Sequence, residues 1–232
     1  MRLPSPLHRG VLLRRYKRFL ADVELENGTL AVAHVADPGR LPGLAVPGAE
    51  VWLSSHHDPR RKLPYRIELI RQGSALVGVN SANPNRIARR AFEAGRIPFA
   101  RGYRIRAREP RIGPGTRLDF LLENHAGRRL FVEVKAISWR RDGHLAAFPD
   151  APTLRGRRHL ETLRELARAG EQTALLFIAQ RSDVETFAPA EDIDPDYARA
   201  LASAREAGVR VSVWRCTVNY DAICLDREIP MV

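Results

Sequence analysis

The sequence predicts an α/β protein of two domains, a small β-barrel followed by a three-layer α/β unit. Three observations predict it. Residues 1–80 break into short apolar or alternating runs divided by turn residues. Beyond them the apolar period switches to helical spacing and then alternates between strand and helix. The composition is that of a globular chain, 44% hydrophobic and 28% charged over 232 residues, enough for one large domain or two small ones.

In the first domain, assigned to 1–80, the strand runs are 11–13, 19–25, 30–35, 50–54 and 65–71. Turn signals separate them: Asn27-Gly28, Asp37-Pro38-Gly39, Pro42-Gly43, Pro47-Gly48 and Asp58-Pro59. Five short strands at this spacing suit an OB-like barrel, with a small barrel of another type as the alternative. The second domain, 81–232, opens on a helix with Asn83 as N-cap and Pro84 at the first helical position. Ile87, Ala88, Ala91 and Phe92 form its apolar stripe, and Gly95 ends it. Strands over 102–108, 117–123 and 130–137 follow. A helix over 154–169 carries Leu160, Leu163, Leu166 and Ala167 as its stripe. Then come a strand at 173–179, a helix at 195–207 closed by Gly208, a strand at 209–214 and an edge strand at 217–225. The order αβββαβαβ predicts a sheet that starts antiparallel and continues parallel.

The charge narrows the function. The formal net charge is +11 and the sequence pI about 10.7. Such a surplus favours a polyanionic partner, nucleic acid or an anionic membrane, over an unpartnered basic surface. Lys17, Lys62 and Lys135 are the only lysines among 38 basic residues. In a chain that uses Arg for generic charge, a Lys marks a position suited to a compact, titratable ammonium. Cys216 and Cys224 form no CxxC pattern, which argues against a zinc site and demands no oxidising compartment. No apolar run suits a signal peptide or a membrane span, so a cytoplasmic protein with no membrane partner is expected.

One constellation carries chemistry. The 117–123 and 130–137 runs read as a hairpin that sets Asp119 opposite Glu133. Alternation puts Val132, Val134 and Ala136 on one face and Glu133 and Lys135 on the other, and puts Asp119 opposite Leu118, Phe120 and Leu122. Asp119, Glu133 and Lys135 should therefore converge. Two facing carboxylates repel, and a divalent cation, Mg²⁺ or Mn²⁺, held by Asp119 and Glu133 would relieve the repulsion and activate a water on a phosphodiester. A cross-strand salt bridge on a solvated face is the plainer explanation of the same residues. Glu93 and Glu109 are candidate further ligands, each against the reading of a solvent-facing charge. Asp150 either caps a turn or sits at the rim. Arg155 and His159 lie along one side of their helix and suit a neighbouring phosphate, or belong to an exposed polar face. In the barrel, Arg14, Arg15, Lys17 and Arg18 interleave with Tyr16 and Phe19, which suits binding to a nucleic-acid backbone by charge and stacking; a basic edge strand is the alternative. His56, His57 and the Arg60-Arg61-Lys62 run read as a basic loop.

The chain resembles the sugar fermentation stimulation protein (SfsA) family over nearly its full length. The resemblance rests on Arg14-Arg15-Tyr16-Lys17-Arg18-Phe19-Leu20-Ala21-Asp22, Val79-Asn80, Arg117-Leu118-Asp119-Phe120, Glu133-Val134-Lys135 and Phe148-Pro149-Asp150-Ala151, with Arg155-Gly156 and His159-Leu160 after them. It implies an N-terminal OB-like barrel and a C-terminal domain similar to the PD-(D/E)xK nucleases. There Asp119 corresponds to the metal-binding aspartate, Glu133 to the second acidic ligand and Lys135 to the catalytic lysine. It also implies DNA as partner and a link to regulation of sugar-utilisation genes, with either a nuclease or a non-catalytic DNA-binding regulator as the outcome. One departure from the family's pattern is Asp37-Pro38-Gly39, which stands where an Asn-Thr-Gly-like turn is expected.

Overall fold

A computed structural model describes residues 1–56, 62–113 and 115–232. The expected Asp58-Pro59 turn, His57 and Arg60-Arg61 lie outside the described residues. The barrel is built from β1 (Leu7–Tyr16), β2 (Leu20–Leu25), β3 (Leu30–Val35), β4 (Glu50–Ser55) and β5 (Tyr65–Gln72), with β6 (Ala75–Gly78) added beyond β5. β1 pairs antiparallel with both β2 and β4, and β2 with β3. The ring closes through β3 lying parallel to β5, Ala33 opposite Tyr65, while β4 pairs with β5. This is the five-stranded closed barrel of an OB domain. Alternate residues such as Leu12, Val23, Val35, Leu53 and Ile67 fill its interior. Gly10 is where β1 crosses closest to β2: a Cβ there would come within 2.8 Å of the Glu24 carbonyl oxygen. β1 is longer than its 11–13 apolar run, because His8, Arg9 and Gly10 before it and Arg14 and Arg15 after it carry no apolar signal.

The second domain begins with α1 (Asn83–Glu93). Its N-cap is Ala82 and not Asn83, which lies one residue inside the helix, buried. Asn80 makes the turn instead, its side-chain oxygen accepting from the Ala82 N–H at 3.1 Å. Next come β7 (Tyr103–Arg108), β8 (Arg111–Gly113), β9 (Thr116–Arg117), β10 (Phe120–Asn124) and β11 (Arg129–Ile137). They are followed by β12 (Arg140–Arg141), β13 (Leu145–Phe148), α2 (Leu154–Arg168), β14 (Gln172–Ala179), β15 (Thr186–Pro189), α3 (Pro195–Glu206), β16 (Arg210–Val218) and β17 (Ile223–Glu228). The main sheet runs β17-β16-β14-β11-β10-β7. β7, β10 and β11 are antiparallel and β11, β14 and β16 parallel, as expected, with β17 returning antiparallel. The expected edge strand at 217–225 is corrected: β16 continues to Val218, the chain turns, and β17 starts at Ile223.

α1 covers one face of the sheet, packing Ile87, Ala91 and Phe92 on Phe120, Val132 and Leu176. α2 and α3 cover the other, with Leu160, Leu163 and Leu201 over Phe131, Leu175 and Phe177. This makes three layers. The barrel shares the first of these cores, because Trp52, Leu69 and Leu76 lie in it. Polar contacts fix the joint. The Gly78 N–H donates to the Gln180 carbonyl at 2.8 Å, and Gln180 Nε2 donates back to the Asn80 carbonyl. Arg181, 0% exposed, donates to Gln72 Oε1 of the barrel, to the Ser138 carbonyl and to both oxygens of Asp183.

Removing a buried, hydrogen-bonded charge leaves its partners unpaired, at about 3 kcal/mol or more. Arg181→Leu should therefore lower the urea midpoint of the full chain by that order of stability. A midpoint unchanged from wild type would show that the joint does not depend on this residue.

Candidate active site

β10 stops short of Asp119, and the expected strand over 117–123 is broken there into β9 and β10. The Phe120↔Val132 pair is the last of the ladder, in the register the hairpin predicts. Leu118 packs on the α2 side and Phe120 on the α1 side, so the chain crosses between faces at Asp119, and strict alternation fails. The Asp119 side chain then takes over the role of a ladder acceptor: Oδ2 accepts from the Val134 N–H at 2.7 Å. Oδ1 accepts from Asn85 Nδ2, in the first turn of α1, also at 2.7 Å.

Glu133 and Lys135 project from β11 toward α2, as alternation predicts. Glu133 is 3% exposed. Its Oε1 accepts from Lys135 Nζ at 2.6 Å and contacts Nδ1 of His159, one turn beyond Arg155 on α2. Lys135 Nζ also lies 3.1 Å from that Nδ1. A single ring nitrogen cannot donate to Glu133 and accept from Lys135 at once, so the triangle has two exclusive proton arrangements. The other carboxylate oxygen, Oε2, is buried and has no hydrogen-bond partner among the described residues.

Two buried carboxyls respond in opposite directions. Burial, then the charge of Glu133, push Asp119 up to about 6, although Val134, Asn85 and Lys135 pull the other way. Burial also pushes Glu133 up, but its contacts with His159 and Lys135 more than offset this and hold it below the usual carboxylate value.

These groups line a cleft of about 480 Å³ between the two domains, which Arg155 also enters. Arg18, from the β1–β2 turn of the barrel, lines it too. Asp150 sits at its rim, where Oδ2 accepts from the Leu41 N–H of the barrel at 3.0 Å. Gly39 lies against this contact, and a Cβ there would come within 2.5 Å of Asp150 Oδ2. Asp37 is buried beside it, and desolvation first, with the charge of Asp150 adding, raises it to about 6.

Other expected site residues have settings that differ from those their sequence suggests. His159 is buried against Glu133 and does not sit on an exposed helix face. Glu93 pairs with Arg89 on the exposed end of α1; the residue of that helix that reaches the site is Asn85. The Glu109 backbone N–H donates to the Asp119 carbonyl, but its carboxylate lies toward Arg117. Arg15 is a loop clamp: it donates to the carbonyls of Arg18, Asp37, Gly39 and Arg40, which occupies the guanidinium expected to meet a phosphate. Arg14 is exposed and paired with Asp22. Lys17 and Arg18 form the turn itself, both at positive φ, 48° and 63°. Left-handed backbone without glycine costs of order 1 kcal/mol per residue. Sequence reasoning missed Asn85, because a helix-borne amide has no signature until its helix is docked on the sheet.

The fold and the site together define an OB barrel joined to a three-layer α/β domain, with a cleft between them that gathers Asp119, Glu133 and Lys135. A model described as "SfsA N-terminal OB domain" matches residues 13–79, and one described as "Sugar fermentation stimulation protein RE domain" matches residues 82–222. The chain belongs to the SfsA family. The sugar fermentation stimulation protein homolog of Rhodospirillum centenum is 47% identical over 229 residues, covering 99% of this chain and 98% of that one. The homolog of Paramagnetospirillum magneticum is 44% identical over 231 residues, covering 100% and 98%. The solved structure of Pyrococcus furiosus SfsA in complex with Ca²⁺ superposes with a TM-score of 0.90 at 29% identity, covering 100% of this chain and 98% of that one. Among the described residues, no helix is long and apolar enough to cross a membrane.

The raised Asp119 carboxyl has a measurable sign. A carboxyl raised on folding adds stability that is complete below its unfolded value of 3.8 and is lost as pH rises through about 6. The metal-free protein should lose that contribution between pH 4 and pH 7, and Asp119→Asn should flatten the fall. Denaturation midpoints across this window test it; an unchanged pH profile in the variant would refute it.

Proposed function

We propose that this protein binds DNA and hydrolyses its phosphodiester bonds with a divalent cation, Mg²⁺ or Mn²⁺, held by Asp119 and Glu133. The observation that carries the reading is Glu133 Oε2. It is a buried carboxylate oxygen without a hydrogen-bond partner among the described residues, next in line to a second carboxyl whose ionisation its charge opposes. Such an atom is costly to leave unpaired, and a cation is the group that would satisfy both acids. Among the described residues, no three His, Cys, Asp or Glu side chains group as a metal cage. Two carboxylates instead suit a hard ion that keeps several waters and shares the remaining positions with a phosphate. The Ca²⁺ complex of the Pyrococcus furiosus relative supports a divalent ion in this family. When bound, the ion would polarise the phosphodiester and lower the pKa of a water.

The residues of the chain have separate tasks. Asn85 and the Val134 N–H hold Asp119 in place, and His159 holds Glu133. Lys135 faces the cleft from β11 and steadies charge developing on the phosphate. Arg155 and Arg18 bind phosphate oxygens from the two walls, one from each domain, as arginine forks do. Arg14 and Lys17 extend the basic surface of the barrel along the strand. The net charge of +11 gives the encounter its salt-sensitive attraction.

Incubation of the full chain with linear and supercoiled DNA tests the reading. Cleavage should appear with Mn²⁺ or Mg²⁺ and vanish with EDTA. Lys135→Ala and Glu133→Gln should each slow it roughly 100-fold or more, the scale set by loss of one charge-stabilising group. Asn85→Ala should weaken it less, with a raised metal requirement. Cleavage by Lys135→Ala at the wild-type rate would overturn the assignment. Salt-dependent binding with no cleavage under any metal would leave a DNA-binding regulator that keeps the nuclease fold.

A further inference from the structure

A second basic cavity lies beside the cleft, and its Arg111, Arg117 and Arg158 have no task in the proposed chemistry. It has a volume of about 730 Å³, and Arg111, Arg117, Arg155, Arg158 and His159 line it. Arg155 and His159 line both cavities, so the two adjoin at α2. Arg111 and Arg117 pair directly across the β8–β9 hairpin. Like charges in that relation destabilise a strand pair. Arg155 and Arg158 are three residues apart on α2, where side chains also become neighbours. The cavity therefore concentrates four guanidinium groups whose mutual repulsion opposes the fold.

Carboxylates do not balance them. Among the described residues, Arg111, Arg155 and Arg158 make no salt bridge, and Arg117 has only an exposed contact with Glu109 at 3.5 Å. Arg157, between Arg155 and Arg158 in sequence, points elsewhere and pairs with Asp196. Arg129, Arg141 and Arg215 are likewise matched, with Glu171, Asp192 and Glu185. Other arginines, Arg86, Arg90 and Arg108 among them, also lack a carboxylate partner among the described residues; what sets this wall apart is that four guanidinium groups line one cavity and two of them pair directly.

We propose that this groove is a backbone channel. It receives two or more phosphodiester groups of the strand on one side of the bond held in the cleft, with Arg111 and Arg158 as its principal contacts. The inference rests on the reading that the cleft receives nucleic acid. A polyanion with regularly spaced phosphates removes the repulsion among all four groups at once, and planar guanidinium forks match its oxygens. Contacts of this kind position a strand without reading its sequence.

Fluorescence anisotropy with a labelled 20-nucleotide single strand and a 20-base-pair duplex, in EDTA and over a range of KCl, tests it. Arg111→Ala and Arg158→Ala should each weaken binding roughly fivefold or more, equally for unrelated sequences. Each lost contact should lower the slope of log K against log salt by about 0.7 for the single strand or 0.9 for the duplex. Arg199→Ala, on the exposed face of α3, should match wild type. Arg111 and Arg158 variants with wild-type affinity and slope, and with wild-type thermal melts, would overturn the proposal. Cleavage measured on the same protein preparations, with Mn²⁺ or Mg²⁺ in place of EDTA, separates the two readings. Groove-dependent binding without cleavage keeps the channel and removes the nuclease. Cleavage with unaltered binding in both variants does the reverse.

Discussion

The rest of the α/β domain is arranged around one electrostatic constraint, the burial of Glu133 close to a second carboxyl. A lone ionised carboxylate cannot be taken from water at this depth without several kcal/mol of compensation. Lys135 supplies a charge from the same strand two residues on, and His159 supplies a ring nitrogen from α2. Asp119 is treated differently. It receives neutral donors, a backbone N–H and an amide, and remains the more easily protonated of the two. Each helix that faces the sheet near the site thus supplies a partner for one of the two acids, α1 through Asn85 and α2 through His159. The break between β9 and β10 serves the same end. It frees Asp119 from the ladder so that its carboxylate can meet the Val134 N–H.

The barrel is not an appendage to this arrangement. Its Trp52, Leu69 and Leu76 lie in the core that α1 seals, so separating the domains would expose apolar surface as well as the buried Arg181 network. The Asp37-Pro38-Gly39 turn is held from inside by Arg15 and meets Asp150 across the joint. One cationic side chain of the barrel, Arg18, thereby reaches the wall of a cleft to which the other domain brings Asp119, Glu133 and Asp150.

Much of this was legible in the sequence, for reasons that differ by element. The hairpin register and the shared face of Glu133 and Lys135 follow from a period of two, which local chemistry enforces. The antiparallel start and parallel continuation follow from the order of strands and helices. The break at Asp119 was not legible, because Leu118 continues an apolar alternation and only its packing under α2 sends it to the opposite face. Arg15 shows a related limit. Its sequence context is that of a phosphate-binding cluster, but the carbonyls that occupy it come from a loop some twenty residues away. Helix phase explains Glu93 and Asn85. Both are polar positions of α1, and the side on which the helix meets Asp119 is decided by tertiary docking.

The hydrogen bond between Asp150 and the Leu41 N–H sets a mechanical limit. It bridges the mouth of the cleft from one domain to the other, while the shared apolar core lies behind it. Rotamer changes in Arg18 or Arg155 can reshape the surface of the gap but cannot widen it. A wider gap requires rigid-body separation that breaks this latch and wets the core together. The clearance offered to a substrate is therefore coupled to the cohesion of the whole molecule, so that anything loosening the joint also changes the gauge of the opening.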